Sequence, residues 1–172
     1  MLSRLRICVE MVVAIVTTHY GACFIQTFLH ACLGHNRRAG FMFREHLLNH
    51  HAIYSEFFTS PRYIDEDKRL TIYYLGPIGL CAGLAFWLLP GTIALAVTGT
   101  FLASLALHVY FHIQFHLERS VWQRVGWFRR RQFLHRRHHE QPNKNFGVLE
   151  PIWDRLLGTY ADGDISFFQE EP

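Results

Sequence analysis

Charge is scarce in this chain. Asp, Glu, Lys and Arg make up 18% of 172 residues and leave a net charge of only +3. No basic stripe with interleaved aromatics is present, so a nucleic-acid partner is excluded. Cysteine is scarce too: Cys8, Cys23, Cys32 and Cys81 stand in apolar surroundings without a paired Cys-x-x-Cys spacing. That pattern excludes a disulfide frame and an iron–sulfur cluster, and the four read as small reduced hydrophobes. A Gly-rich dinucleotide fingerprint is also missing. Any redox chemistry would therefore draw its electrons from a separate protein.

The longest absence is local. No charged residue follows Arg69 until Glu118, and the apolar stretch from Leu70 to about Phe111 is interrupted only by Pro90-Gly91 near its middle. Its length suits two helices of about twenty residues joined by a tight turn, each able to cross ~30 Å of hydrocarbon. A soluble buried hairpin fits less well, because little amphipathic periodicity relieves the run. An earlier apolar segment, Ile7 to Leu29, is also long enough to span, although Glu10, Thr17, Thr18, His19 and Gln26 make it imperfect. No small-residue cleavage site follows it, so a span is preferred to a signal peptide. The predicted fold is a single all-α integral membrane domain over 1–172. It has about three transmembrane helices, near 7–29, 70–89 and 92–111, and a helical cap formed by 30–69 and 112–172.

This topology returns both polar parts to one face. Of the 17 Lys and Arg residues only Arg4 and Arg6 fall on the other side, so the positive-inside rule makes the cap cytoplasmic. The run Arg129, Arg130, Arg131 can meet anionic headgroups or serve as a solvated face beside the membrane.

Histidine is what the chain has in excess. Of 12, five lie between 30 and 51, three between 108 and 116 and three between 135 and 139, with His19 alone. HACLGH gives His30 and His35, which on a regular α-helix differ by about 140° and would flank two neighbouring metals. HLLNHH gives His46, His50 and His51; the first two share a helical face and the third swings aside. HVYFHIQFH places His108, His112 and His116 at four-residue steps, with His108 a turn deeper in the membrane. HRRHH supplies His135, His138 and His139, an i, i+3, i+4 set able to point together. Neutral imidazole is a good ligand for iron and zinc, and burying so many without partners is costly. Ten ligands exceed the needs of one ion. A closed structural zinc site takes four, commonly including Cys, whereas two ions can keep positions open for oxygen.

The ordered set HACLGH, HLLNHH, HIQFH and HRRHH, followed by NFGVLEPIWDRLLGTY, resembles the membrane fatty acid hydroxylase and sterol desaturase superfamily from His30 to Tyr160. The resemblance implies oxygen-dependent hydroxylation or desaturation of a fatty acyl or sterol-like lipid. The implied cofactor is a pair of iron ions with O2 as co-substrate, although expressed protein can carry zinc in the same sites. The implied partners are the lipid, the membrane and a separate electron donor of ferredoxin or cytochrome type with its reductase. Positions matching the ligands are His30, His35, His46, His50, His51, His112, His116, His135, His138 and His139. Asn145 and Asp154 match the family's tail, where they would hydrogen-bond ligand imidazoles and set their tautomers, or Asp154 would pair with a neighbouring Arg. Trp153 is expected to pack, and Gly147 and Gly158 to serve backbone turns. The chain departs from the family where His46 precedes His50 by three intervening residues instead of two. His108 has no counterpart there, and it is left out of the site with His19. Carotenoid hydroxylases share the histidine scheme, and the WDRLLGTY tail leans towards the fatty acid and sterol branch. A non-catalytic zinc carrier or sensor is the reading of a different class. Histidines clustered at one face, with few spans, give it little of a translocation path.

Overall fold

The computed structural model describes residues 2–64 and 72–163. These residues are mostly helical and carry no strand; the one β-bridge joins Ser60 to Leu117. Helix α1, Leu2–Leu29, continues as a π-helical turn over His30–Gly34. After a 3₁₀ turn at Arg37–Ala39, a single α turn (α2, Phe41–Phe43) leads into a second π segment, Arg44–His50, closed by α3, His51–Ile53. The apolar hairpin follows as α4, Ile72–Leu88, and α5, Gly91–Phe115, with Pro90 capping the second helix. Helix α6 spans Gly126–Glu140 and the short α7 spans Ile152–Leu157.

Two helical stretches, Leu5–Gly34 and Gly91–Phe115, are long and apolar enough to cross a membrane. Helix α4 has 17 residues, about 25 Å at 1.5 Å per residue, and falls short of a ~30 Å core. The expected start of its span at 70 and 71 lies outside the described residues, as do the cap residues 65–69 and 164–172. Helix α5 packs along both α1 and α4. Outward side chains such as Leu80, Trp87, Leu88 and Leu95 are exposed, which is what a lipid-facing surface requires.

Inside the bundle, His19 Nδ1 and Ser104 Oγ meet at 2.9 Å and join α1 to α5. Where the helices leave the apolar layer, Cys23, Phe111, Phe115, Phe128, Val148 and Leu149 form a buried core, with Phe58, Trp122 and Trp153 against it. The Trp153 indole donates to the Tyr20 carbonyl at 2.9 Å, which fastens α7 to α1. Gln132 on α6 donates to the Phe115 carbonyl at 2.9 Å and satisfies a buried helix end. All four cysteines are free thiols.

The arginine run is not one surface. Arg131 reaches Glu150 and lies over Trp127, and Arg130 pairs with Asp162 and donates to the Tyr160 hydroxyl. Only Arg129 of the three is exposed, because the α6 face that buries Phe128 and Gln132 turns its neighbours towards the C-terminal segment.

Candidate metal centre

The cap is built around imidazoles rather than aliphatic side chains. His50, His116 and His138 are completely buried, and His30, His46, His51, His112 and His135 nearly so. They resolve into two groups whose candidate ligand atoms lie within 4.8 Å of one another: His30, His35, His46 and His138, and His50, His112, His116 and His135. His51 joins the first group through His138, with Nε2 to Nε2 at 3.2 Å. His139 joins the second through His50 at 3.1 Å. The His51 and His139 rings stack on each other at 4.2 Å, so the two groups form one continuous chamber.

Local winding explains how His30 and His35 enter the same group instead of flanking two. Their segment is a π turn, in which hydrogen bonds run from i to i+5 and stack residues five apart. The second π segment, Arg44–His50, does the reverse work and delivers His46 to one group and His50 to the other. Gly34 faces this packing: a Cβ there would meet the His46 ring at 3.0 Å and the His30 ring at 3.2 Å.

Backbone carbonyls orient three of the rings. His30 Nδ1 donates to Phe146 O at 2.7 Å, His116 Nδ1 to Phe58 O at 2.9 Å and His138 Nδ1 to Lys144 O at 2.6 Å. A carbonyl only accepts, so each Nδ1 carries the proton and each Nε2 presents a lone pair to the chamber. Those lone pairs face further imidazole nitrogens: His30 Nε2 lies 2.7 Å from His46 Nε2, and His116 Nε2 lies 3.0 Å from His135 Nε2. Two nitrogens bound to one metal at 2.0–2.1 Å would sit about 2.9–3.4 Å apart, close to the separations found. His35 Nε2 is buried with no hydrogen-bond partner. An all-imidazole donor set with lone pairs converging and a donor atom orphaned fits a pair of transition-metal ions.

Burial also keeps the rings neutral, the form that ligates. Burial, with neighbouring His30 and His51, pushes the His35 imidazole down to about 2. Burial lowers His116 to about 3, against the opposing pull of its bond to Phe58. His46, His50, His135, His138 and His139 are all held well below the ordinary value, first by burial and then by neighbouring imidazoles.

Asn145 and Asp154 act one bond further out than the sequence implied. The fully buried Asp154 carboxylate accepts from the backbone N–H of Phe146 and Gly147, both at 2.8 Å, and from Thr159 Oγ1 at 2.7 Å. Asn145, at φ 51, exchanges two hydrogen bonds with Ala161. Together they fix the loop whose Lys144 and Phe146 carbonyls orient His138 and His30. Gly147 is required for space: a Cβ would meet Glu150 O at 2.6 Å and Asp154 Oδ2 at 2.8 Å. Gly158 is required for its left-handed φ of 71° at the end of α7.

Sequence reasoning missed Tyr54 and Phe58. The Tyr54 ring stacks on His116 at 3.9 Å, and Phe58 supplies both a carbonyl to that histidine and a ring 4.9 Å from it. The pairing of Ser60 with His116 and Glu118 holds this segment against the end of α5. Its only sequence signal is the aromatic density after HLLNHH. His108 belongs to neither group, and its ring lies 6.3 Å from that of His112.

Neither a curated protein sequence nor a solved structure matches the chain. A family model does, the one described as fatty acid hydroxylase, over residues 11–159. With that match covering most of its length and two histidine groups gathered where its apolar helices end, the chain belongs to the fatty acid hydroxylase family.

Proposed function

We propose that this protein is an integral membrane oxidoreductase that uses two iron ions and O2 to hydroxylate a C–H bond of a fatty acyl or sterol-like lipid. The carrying observation is the set of three Nε2 lone pairs, of His30, His116 and His138, turned into one buried chamber by backbone carbonyls. His30, His35, His46, His51 and His138 would hold one ion, and His50, His112, His116, His135 and His139 the other. Iron bound there supplies activation of oxygen strong enough to attack an unactivated C–H bond, which no acid–base side chain can do.

The protein's part is position and exclusion of water. The carbonyls of Phe58, Lys144 and Phe146 keep their imidazoles neutral and aimed. Tyr54 and Phe58 cover the second group, and the apolar faces of α1, α4 and α5 give the lipid a dry approach. Counting the shorter apolar helix α4 as a third span, the positive-inside rule would put the cap, with most of the Lys and Arg residues, on the cytoplasmic side. There a separate ferredoxin- or cytochrome-type donor with its reductase delivers electrons. Desaturation is the alternative outcome of the same hydrogen abstraction.

Anaerobic loading with ferrous iron, followed by oxygen and a reductant in membranes containing host lipid, tests the proposal. Oxygen uptake with a lipid product heavier by about sixteen mass units is expected; a loss of about two would indicate desaturation instead. Stoichiometric iron binding without oxygen consumption under these conditions would falsify the enzymatic reading.

A further inference from the structure

Helix α7 buries a carboxylate and shows aliphatic side chains to the outside. Ile152, Arg155 and Leu156 fall within about 100° on one side of it, and Asp154 on the other. Asp154 is fully buried, whereas Leu156 is 68% exposed, Leu157 49% and Ile152 43%. That is the reverse of a helix facing water.

The height of α7 along the bundle fixes what surrounds it. From Gly91, twenty residues of α5 cross about 30 Å of hydrocarbon and end near Phe111. The His19–Ser104 contact levels α1 against α5, and both helices rise from it to the chamber, at His30 and His112. The seven steps from Ser104 to Phe111 therefore bring α1 to Gln26 at the same boundary. Just beneath that level α7 is fastened to α1: the Trp153 indole donates to the Tyr20 carbonyl at 2.9 Å, and its ring meets that of Phe24 at 4.9 Å. Tyr20 and Phe24 lie about 9 and 3 Å below Gln26 along the helix. An amphipathic helix lying in a leaflet sinks about 5–10 Å into the boundary between headgroups and acyl chains, where Trp is enriched.

The polar edge of α7 carries cations. Arg155 lies over the Tyr160 ring at 4.4 Å and donates to its hydroxyl at 3.3 Å, and Lys144 donates to the Gly158 carbonyl at 3.3 Å. Neither has an ion pair among the described residues, whereas Arg130 beside them is offset by Asp162.

We propose that α7 is seated in the leaflet beside the cap, with Ile152, Leu156 and Leu157 among acyl chains and Arg155 and Lys144 on anionic phospholipid headgroups, and that this seating steadies the first histidine group. The inner side of α7 supplies the coupling. Asp154 accepts from the backbone N–H of Phe146 and Gly147, and the Thr159 carbonyl just beyond the helix accepts from Asn145 N–H at 3.0 Å. The Phe146 and Lys144 carbonyls of that loop orient His30 and His138. In the second group His116 takes its carbonyl from Phe58, on a separate segment. The coupling rests on the metal-holding reading above, and on no reaction.

The zinc-loaded full chain in nanodiscs tests this. One set of discs is phosphatidylcholine and the other contains phosphatidylglycerol in equal parts; each carries a photoreactive lipid of its own headgroup with the diazirine at the top of an acyl chain. Peptide mass spectrometry then compares α7 with the polar 136–140 end of α6. Labelling of α7 in both discs is expected, above that of 136–140, with a rise of about fivefold in the anionic discs, the worth of one cation at such a surface. Arg155→Gln should remove most of that rise and leave labelling in neutral discs unchanged. Leu156→Ser with Leu157→Ser should lower labelling in both discs and speed the release of one of the two zinc equivalents to a chelator. The same pair changed to Ala repeats the measurement with the helix better preserved. Labelling of α7 no higher than that of 136–140 would place it in water, as a face for a protein partner, and overturn the proposal. Zinc release unchanged in both double variants would overturn it as well. Absence of bound zinc from the unaltered chain would sink the metal assignment itself, a result distinct from failure of α7 to meet lipid.

Discussion

At the residue scale, the aim of three buried imidazoles depends on backbone carbonyl groups. A histidine with a free choice of tautomer presents a lone pair at either nitrogen; His30, His116 and His138 lose that choice to Phe146, Phe58 and Lys144. Because the two groups draw on separate rings, their losses should be separable. His138→Ala should lower bound metal from two equivalents towards one, and His135→Ala should do the same through the other group. His19→Ala should leave both in place, since its contacts are to Ser104 and Cys23. Elemental analysis of the three variants, loaded identically, checks this; full metal retention in the first two would count against the ligand assignment. Asp154 gives a second prediction. Asn in its place sets an NH₂ against one of the N–H or O–H groups that now donate to the carboxylate. A buried donor left without an acceptor costs about 1–3 kcal/mol. Asp154→Asn should therefore lower the melting temperature, and it should weaken metal retention by freeing the Phe146 carbonyl that aims His30.

At the scale of elements, the π turns decide which histidines meet. The histidine motifs, the apolar hairpin broken at Pro90-Gly91 and the first span were legible in the sequence, because composition and spacing reveal them directly. The winding of HACLGH was not. On an α-helix His30 and His35 diverge, and only a turn with i to i+5 hydrogen bonds brings both to one group; no residue type encodes that choice. The Asp154 loop was hidden for a similar reason, since its bonds run to backbone atoms several residues away. Tyr54 and Phe58 escaped notice because aromatic residues near a membrane read equally well as packing. In-frame deletion of Cys32 tests the π turn. Removing one residue restores four-residue spacing, and a regular helix can then carry both histidines on one face only by shifting His35 and everything after it. About one metal equivalent should be lost from the first group, while Cys32→Ala, which keeps the length, should bind normally. Equal metal content in the two variants would show that the five-residue spacing is not required.

At the scale of the whole molecule, a cap whose interior is imidazole must exclude protons as firmly as it excludes water. In the folded chain His116 is depressed to about 3 and His35 to about 2 from an ordinary value of 6.5, first by burial. Their neighbours on α6 are lowered in the same direction. Unfolded, the same rings titrate near the ordinary value. Above that pH both states are neutral and the stability they share is fully present. As pH falls below it, the unfolded chain takes up protons that the folded cap refuses, so stability drops until the folded pKa values are reached. Each such histidine contributes a slope of at most about 1.4 kcal/mol per pH unit, and several act together. The metal-free protein in detergent should therefore lose thermal stability steeply between pH 6.5 and about 4 and change little between 7 and 8. Bound metal competes with the same protons, so the loaded protein should hold its melting temperature to lower pH and then fall as metal is released. Melting curves recorded with and without metal across this range provide the check. A metal-free transition that does not move below the ordinary histidine pKa would mean that the imidazoles open to water before the chain unfolds, and that the chamber is less closed than its burial implies.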